Sequence, residues 1–190
     1  FGPLGDVDVL RGLRDLITVL RDAGTPVVVG RRASSGLLLL ALGAAGWSTG
    51  VTSNLMNMMP HPEEEQNGGR SLDRIYVPQL LNLVSTEAYL LMRSHSPDLI
   101  QLRTPQSEAL LSVNPGLDDL RTEERVLLLQ HNLMAQSAQV TQLANLPGGQ
   151  RIAQLRAWVE TALDLYSALP SSRLSSEGPS FLGAWEQVLT

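Results

Sequence analysis

The stretch TPVVVGRRASSGLLLLALGAAGWSTG, residues 25–50, decides the fold class of this chain. Its VVVG run is short, β-branched and uniformly apolar, which is typical of a parallel strand buried on both faces. Ser34 or Ser35 is placed to cap the next helix, Gly36 to Leu42, and GWSTGV then indicates a second strand. Because parallel neighbours need a crossover helix between them, this order of strand, helix and strand predicts an α/β protein.

The residues before this stretch predict an amphipathic helix. Apolar side chains recur at three- and four-residue spacing from Val9 to Leu20, and Asp6 or Asp8 can cap the start. Gly24 stands where a glycine commonly ends a helix. Helix, strand, helix and strand joined by short turns form the repeating unit of a parallel α/β fold.

The segment PVVVGRRASSG...LGAAGWSTGV resembles the seventh strand, seventh helix and eighth strand of a TIM-type (β/α)8 barrel. The fold prediction is therefore α/β, with the last βα units of such a barrel in residues 1–56, a linker loop in 57–74 and a helical appendage in 75–190. A barrel needs eight units. We therefore expect the chain to be part of a longer polypeptide, or to pack against a protein partner that completes the sheet.

The loop after the first strand carries the candidate ligand site. In many barrels the loop after strand seven and the start of the next short helix bind a phosphate. The glycine after the strand would let a ligand approach the backbone, the two arginines would supply charge-assisted hydrogen bonds, and free N–H groups at the helix start would face an anion. The alternative is a cap, a turn glycine and a solvated arginine pair. The candidate binding residues are Gly30, Arg31, Arg32, Ser34, Ser35 and Gly36.

Composition limits the function classes. The chain has 190 residues, a formal net charge of -5 and 14 cationic side chains that are all Arg, which argues against strong nonspecific binding of nucleic acid. The absence of Cys excludes a disulfide, a thiolate nucleophile and a cysteine zinc site. The longest apolar run, from Gly36 to Trp47, is too short to cross a bilayer, and no cationic region precedes an apolar one at the start. We therefore expect a cytoplasmic location and no membrane association.

Residues 57–74 are predicted to be a linker, because Pro60, Pro62, three consecutive Glu and a Gly pair interrupt the pattern. Three adjacent carboxylates in a loop, even beside His61, are typical of solvated charge, so no metal is expected there. Three later segments have helical spacing: IYVPQLLNLVSTEAYLLMR, TEERVLLLQHNLMAQSAQVTQLANL and GQRIAQLRAWVETALDLYSAL. A short amphipathic helix follows, and Trp158, Tyr166 and Trp185 are predicted to be core or docking residues.

The final barrel strand, the VPQLLNLV helix and the LLLQHNL helix together resemble the C-terminal region of tRNA-guanine transglycosylases, enzymes that exchange a base in tRNA. In that family an HNL helix supplies a His to a zinc, whose other ligands come from a Cys-x-Cys-x-x-Cys element upstream. His131 occupies the matching place, but the upstream stretch LIQLRTPQSEALL contains no Cys, so the zinc ligands are absent. Ser48 stands where the family has its nucleophilic Asp, and a Ser without a base cannot replace a carboxylate in forming a glycosyl intermediate.

Three functions remain open. The first is a diverged transglycosylase-like barrel protein that acts on or binds a nucleic-acid base or nucleotide. The second is a phosphate-binding barrel enzyme of other chemistry, and the third is a noncatalytic protein that binds a partner through its helical half. No Ser-His-Asp order, paired carboxylates or metal-ligand spacing selects a reaction. Enzyme activity, expected as glycosyl transfer under the first function, is therefore left undecided by the sequence.

Overall fold

The computed structural model describes residues 4–30, 34–48, 73–169 and 178–190. Its first elements are α1 (Val7–Asp22), β1 (Val28–Val29), α2 (Ser35–Ala41) and β2 (Gly46–Trp47). A hairpin follows, made of β3 (Arg74–Val77), a 3-10 turn (Pro78–Leu80) and β4 (Asn82–Ser85). The later helices are α3 (Thr86–His95), α4 (Pro105–Val113), α5 (Thr122–Ala144), α6 (Gly148–Ala168) and α7 (Ser180–Leu189). Helices dominate the described residues, and the strands are short.

Helix α1 begins and ends where its sequence predicts. Asp6 is the N-cap, and its carboxylate accepts hydrogen bonds from the backbone N–H groups of Asp8 and Val9, each at 3.0 Å. Gly24 follows the last turn with a positive φ of 76°, which glycine adopts without a Cβ penalty. The buried face of α1 packs against α7, so the first and last helices of the described chain are neighbours.

Strands β1 and β2 pair in parallel, with Val28 beside Gly46 and Val29 beside Trp47, as the strand–helix–strand pattern predicts. The prediction that the first strand is buried on both faces was wrong, because Val28 is 68% exposed. Val27 and Val29 pack against the core, so only one face of this sheet is covered. The described residues form two sheets of two strands each and no closed barrel. The coarse prediction of mixed helix and strand is confirmed.

Helix α2 is buried on every side. All seven of its residues are buried, because a helix that is apolar around its whole circumference must be covered completely. Helices α5 and α6 cover it, so the helical half packs directly on the strand–helix–strand unit. Gly43 ends the segment with a φ of 112°, as predicted.

Residues 74–85 form an antiparallel hairpin, and the predicted helix there was wrong. Strand β3 pairs with β4 from Arg74 beside Ser85 to Val77 beside Asn82. The Ile-Tyr-Val run favours a strand, and Pro78 with its fixed φ suits the first position of the turn. The apolar spacing that predicted a helix arises because both strands of the hairpin carry buried residues.

The long helices agree with the predicted segments. Helix α5 begins at Thr122, but its N-cap is Arg121, whose backbone N–H donates to the carboxylate of Glu124 at 3.0 Å. That backbone hydrogen bond, the Arg121 guanidinium and the Asn114 amide hold the pKa of Glu124 at about 2. In the described part of the chain, no helix is both long enough and apolar enough to cross a membrane.

The predicted aromatic core is largely confirmed. Trp185 and Tyr166 are buried, whereas Trp158 is partly buried and packs against the edge of the core. The Trp185 indole N–H donates to the carbonyl oxygen of Leu4 at 2.8 Å, which ties α7 to the segment before α1. Phe181 meets the Trp185 ring edge to face, with centroids 5.2 Å apart.

Candidate functional site

The predicted anion-binding loop is described only in part. Arg31 and Arg32 lie outside the described residues, so their role stays a prediction. Gly30 is partly exposed at the end of β1, and a Cβ there would stand 3.6 Å from Ser48 Oγ on the neighbouring strand. This end of the sheet therefore offers backbone that a ligand can approach.

The two serines of the loop direct their hydroxyl groups into the protein. Ser34 and Ser35 are each 1% exposed. Ser35 Oγ accepts a hydrogen bond from the backbone N–H of Leu4 at 2.6 Å, which fastens the chain before α1 to the start of α2. Ser34 is the N-cap of α2, but it makes no side-chain capping bond, and its buried Oγ has no hydrogen-bond partner among the residues that the structure describes. Neither hydroxyl faces the surface where an anion would bind.

Gly36 has a packing role. A Cβ at this position would overlap the Trp47 indole, which lies directly against the first turn of α2. A side chain is therefore excluded at Gly36 by β2, whether or not the loop binds a ligand. This contact accounts for the glycine at position 36, whose N–H group was predicted from the sequence to face an anion.

A second polar cluster surrounds His131, which is 0% exposed on α5. His131 Nε2 lies 2.9 Å from the carbonyl oxygen of Tyr76, and His131 Nδ1 lies 2.8 Å from Thr104 Oγ1. Because a carbonyl oxygen can only accept, Nε2 carries the proton and Nδ1 accepts from the threonine hydroxyl. Burial lowers the pKa of His131, although the hydrogen bond to Tyr76 opposes the shift. The imidazole is therefore a neutral connector between α5, β3 and the start of α4.

Asn132 holds the same strand through its side-chain amide. Its Oδ1 accepts from the Tyr76 N–H at 2.7 Å, and its Nδ2 donates to the Arg74 carbonyl oxygen at 2.9 Å. The Tyr76 hydroxyl, whose pKa is raised by burial, donates to Gln139 Oε1 at 2.6 Å. His131 and Asn132 thus satisfy backbone groups at the outer edge of β3 in place of another strand, and Gln139 holds the Tyr76 side chain. We call His131, Asn132 and Gln139 the β3 clamp.

The zinc that the family resemblance implies does not fit the residues present. The stretch LIQLRTPQSEALL, residues 99–111, does lie beside His131, but it brings the hydroxyl of Thr104 where a zinc site needs thiolates. Both imidazole nitrogens are engaged in hydrogen bonds. Among the described residues, no group of three or more His, Asp or Glu side chains could hold a metal ion. His61 and Glu63 to Glu65 lie outside those residues.

A groove lies next to the β3 clamp, between the 3-10 turn, residues 101–105, α5 and α6. It consists of two adjoining hollows of about 460 Å³ and 350 Å³, both within the range of small-ligand sites. Trp158 and Thr161 line the larger hollow, and Met134 and His131 line the smaller one. The walls common to both are Pro78, Gln79, Arg103, Gln139 and Gln142.

Comparisons of the chain with protein-family models, with curated proteins and with solved structures found no match. The functional conclusion therefore depends on residue chemistry and geometry. Sequence reasoning singled out His131 but missed Asn132, Thr104 and the groove. The HNL tripeptide, which contains Asn132, was a signal for that residue. Nothing in the linear pattern brings Arg103 and Trp158 together.

Proposed function

We propose that the chain contributes the last βα units of a cytoplasmic, diverged barrel protein similar to tRNA-guanine transglycosylases, and that it binds a nucleic-acid base or nucleotide without exchanging it. The observation that carries the proposal is the contact between His131 and Thr104. It joins the HNL helix to residues 99–111, the two elements that the resemblance pairs at a zinc. In this chain hydrogen bonds hold the two elements together in place of a metal.

The residue at the end of β2 supports binding without base exchange. Ser48 is exposed, and its N–H donates to the Val29 carbonyl oxygen at 2.8 Å. It stands where the family's nucleophilic Asp is expected. A neutral hydroxyl without a base beside it does not form a glycosyl intermediate at a useful rate.

The open face of the parallel sheet supports the barrel part of the proposal. Parallel sheets are normally covered on both faces, and a sheet of two strands is marginal on its own. The 68% exposed Val28 is therefore a residue that further strands would cover. Those strands come from a longer polypeptide or from a protein partner.

An amide NMR titration with inorganic phosphate and with guanosine monophosphate tests the binding site predicted from the sequence. We expect saturable shifts at Gly30, Ser34, Ser35 and Gly36. The Arg31→Ala variant should lose them, and Arg11→Ala, which removes an exposed arginine from α1, should keep them. A dispersed spectrum in which neither ligand moves these resonances would contradict nucleotide binding at the loop.

A second candidate function, noncatalytic binding of a protein partner, is favoured by the outer face of α1. Val9, Leu16 and Val19 are 48%, 52% and 65% exposed, and their spacing of seven and three residues places them on one stripe. Gly12 lies on the same stripe with open space beside it, so another helix can approach closely. An exposed apolar stripe of this kind marks an interaction surface.

Sedimentation velocity tests this second function on the chain itself. We expect concentration-dependent association that Leu16→Glu abolishes. Val113→Glu is the matched control, because Val113 is also apolar and 60% exposed but lies on α4, outside the stripe. Association that survives Leu16→Glu would refute the stripe as the contact surface.

A further inference from the structure

The groove beside the β3 clamp is lined by a cationic side chain and, among the described residues, by no anionic one. No carboxylate is found among the described residues that line its two hollows. Its ionised group is Arg103, since the neighbouring His131 is buried and neutral. In a chain with a net charge of -5, such a surface favours an anionic ligand.

Arg103 is held in place without losing its charge. Its Nε and Nη2 donate to Gln101 Oε1 at 3.2 and 3.0 Å. The Gln101 carbonyl oxygen in turn accepts from Gln79 Nε2 at 2.7 Å. A neutral amide, unlike an Asp or Glu, positions a guanidinium without neutralising it. The remaining guanidinium nitrogen, Nη1, makes no hydrogen bond with the described residues, so its donors are available to a ligand.

The larger hollow also has an aromatic lining residue. Trp158 on α6 is partly buried against the core, so its ring position is fixed while part of the indole surface lines the groove. Two amide side chains line the same hollow, Gln139 and Gln142. Gln139 is already committed to Tyr76 and to the Pro78 carbonyl oxygen, whereas Gln142 is exposed. A fixed aromatic face, an amide and an uncompensated guanidinium in one groove match the base, the base edge and the phosphate of a nucleotide.

We infer that this groove binds a nucleotide, with the base stacked on Trp158, the base edge at Gln142 and the phosphate at Arg103. The inference shares its ligand class with the proposed function but places the ligand in the helical half, away from the Gly30 to Gly36 loop. The ligand's source is either a free nucleotide or a residue within a single strand. Both present the same planar base and phosphate.

The test is a titration of the ¹⁵N-labelled chain with guanosine monophosphate, with inorganic phosphate and with an oligouridylate of about eight nucleotides. The readouts are the Trp158 indole N–H and the Gln142 side-chain amide. We expect saturable shifts of both groups with the nucleotide. Arg103→Gln and Trp158→Leu should each weaken binding by roughly tenfold or more, Trp158→Phe should keep part of the affinity, and Arg11→Ala should bind like the parent.

The outcomes separate this site from the loop. Shifts confined to Gly30 and Ser34 to Gly36 would overturn the groove and leave the loop site intact, whereas shifts confined to the groove would overturn the loop as the binding site. Parent-like affinity of Arg103→Gln, or saturation of the groove by phosphate at the same concentration as by nucleotide, would also overturn the groove. Equal affinity for guanosine monophosphate and for the oligouridylate supports a free nucleotide as the ligand. Tighter binding of the oligouridylate at the same residues supports a nucleotide within a single strand.

Discussion

Replacing Asn132 by Ala removes the two hydrogen bonds that its side chain makes to β3. The side chain is 4% exposed, accepts from the Tyr76 N–H at 2.7 Å and donates to the Arg74 carbonyl oxygen at 2.9 Å. Tyr76 is fully buried, so its N–H has no water to replace the lost acceptor, whereas Arg74 is only partly buried. The two lost bonds therefore carry different costs.

An unsatisfied buried donor costs about 1–3 kcal/mol, and loss of a hydrogen bond that water can replace costs about 0.5–1.5 kcal/mol. We therefore expect Asn132→Ala to lower the free energy of unfolding by about 2–4 kcal/mol. For a chain of this length, that loss lowers Tm by roughly 5 to 15 °C.

Urea unfolding followed by far-ultraviolet circular dichroism measures this loss, and a thermal scan checks it. Gln130→Ala is the matched control, because Gln130 is an exposed amide two residues earlier on the same helix. It should change the free energy of unfolding by no more than about 0.5 kcal/mol. If Asn132→Ala unfolds within that margin of the parent with an unchanged m-value, the amide does not hold β3 and the argument for the β3 clamp fails.

Three further predictions concern other buried contacts. Burial lowers the folded pKa of His131 below its ordinary value of 6.5. The neutral imidazole therefore stabilises the fold above pH 6.5, and this stabilisation is lost as the pH falls through the folded pKa. In urea titrations at several pH values, His131→Gln should reduce this loss of stability and His95→Gln should not. A backbone hydrogen bond at the start of α5 holds the pKa of Glu124 at about 2, so stability is lost as the pH falls from 4.5 towards 2, and Glu124→Gln should show a smaller decline across that range. Gly36→Ala should destabilise by about 1–3 kcal/mol because its Cβ meets an indole ring, whereas Gly12→Ala, in open space on α1, should stabilise by about 0.5–1 kcal/mol. A raised melting temperature of Gly36→Ala would contradict the first expectation, and a lowered one of Gly12→Ala the second.

The sequence predicted elements whose signals are local. Asp6 and Gly24 bound α1 through contacts within a few residues of the helix ends, so cap chemistry alone located them. The helix predicted at residues 74–85 was wrong because apolar spacing in a short run does not distinguish a buried hairpin from a helix. Pro78 was the available signal, since a proline in the middle of that run disfavours an uninterrupted helix.

The candidate sites were less predictable because their partners are far apart in the chain. His131 and Tyr76 are separated by 55 positions, and Asn132 and Arg74 by 58. The apolar periodicity predicts that α5 has a buried face, but it does not identify the strand that this face contacts. The groove adds residues from the 3-10 turn and from α6, so no linear motif contains it.

The stretch from Gly30 to Gly36 shows why a glycine- and serine-rich junction between strand and helix is ambiguous. An anion site needs small residues so that a ligand can reach the backbone, and close packing needs the same residues so that a neighbouring group can reach it. The Ser35 hydroxyl accepts a hydrogen bond from the Leu4 N–H, and the Trp47 indole packs against Gly36, so two of the predicted residues already have partners within the fold. In the groove the polar groups are arranged differently, because the hydrogen bonds that hold Arg103 leave its charge uncompensated. The guanidinium of Arg103 is therefore available to a ligand there, and a nucleotide that binds in the groove should move the resonance of the Trp158 indole N–H.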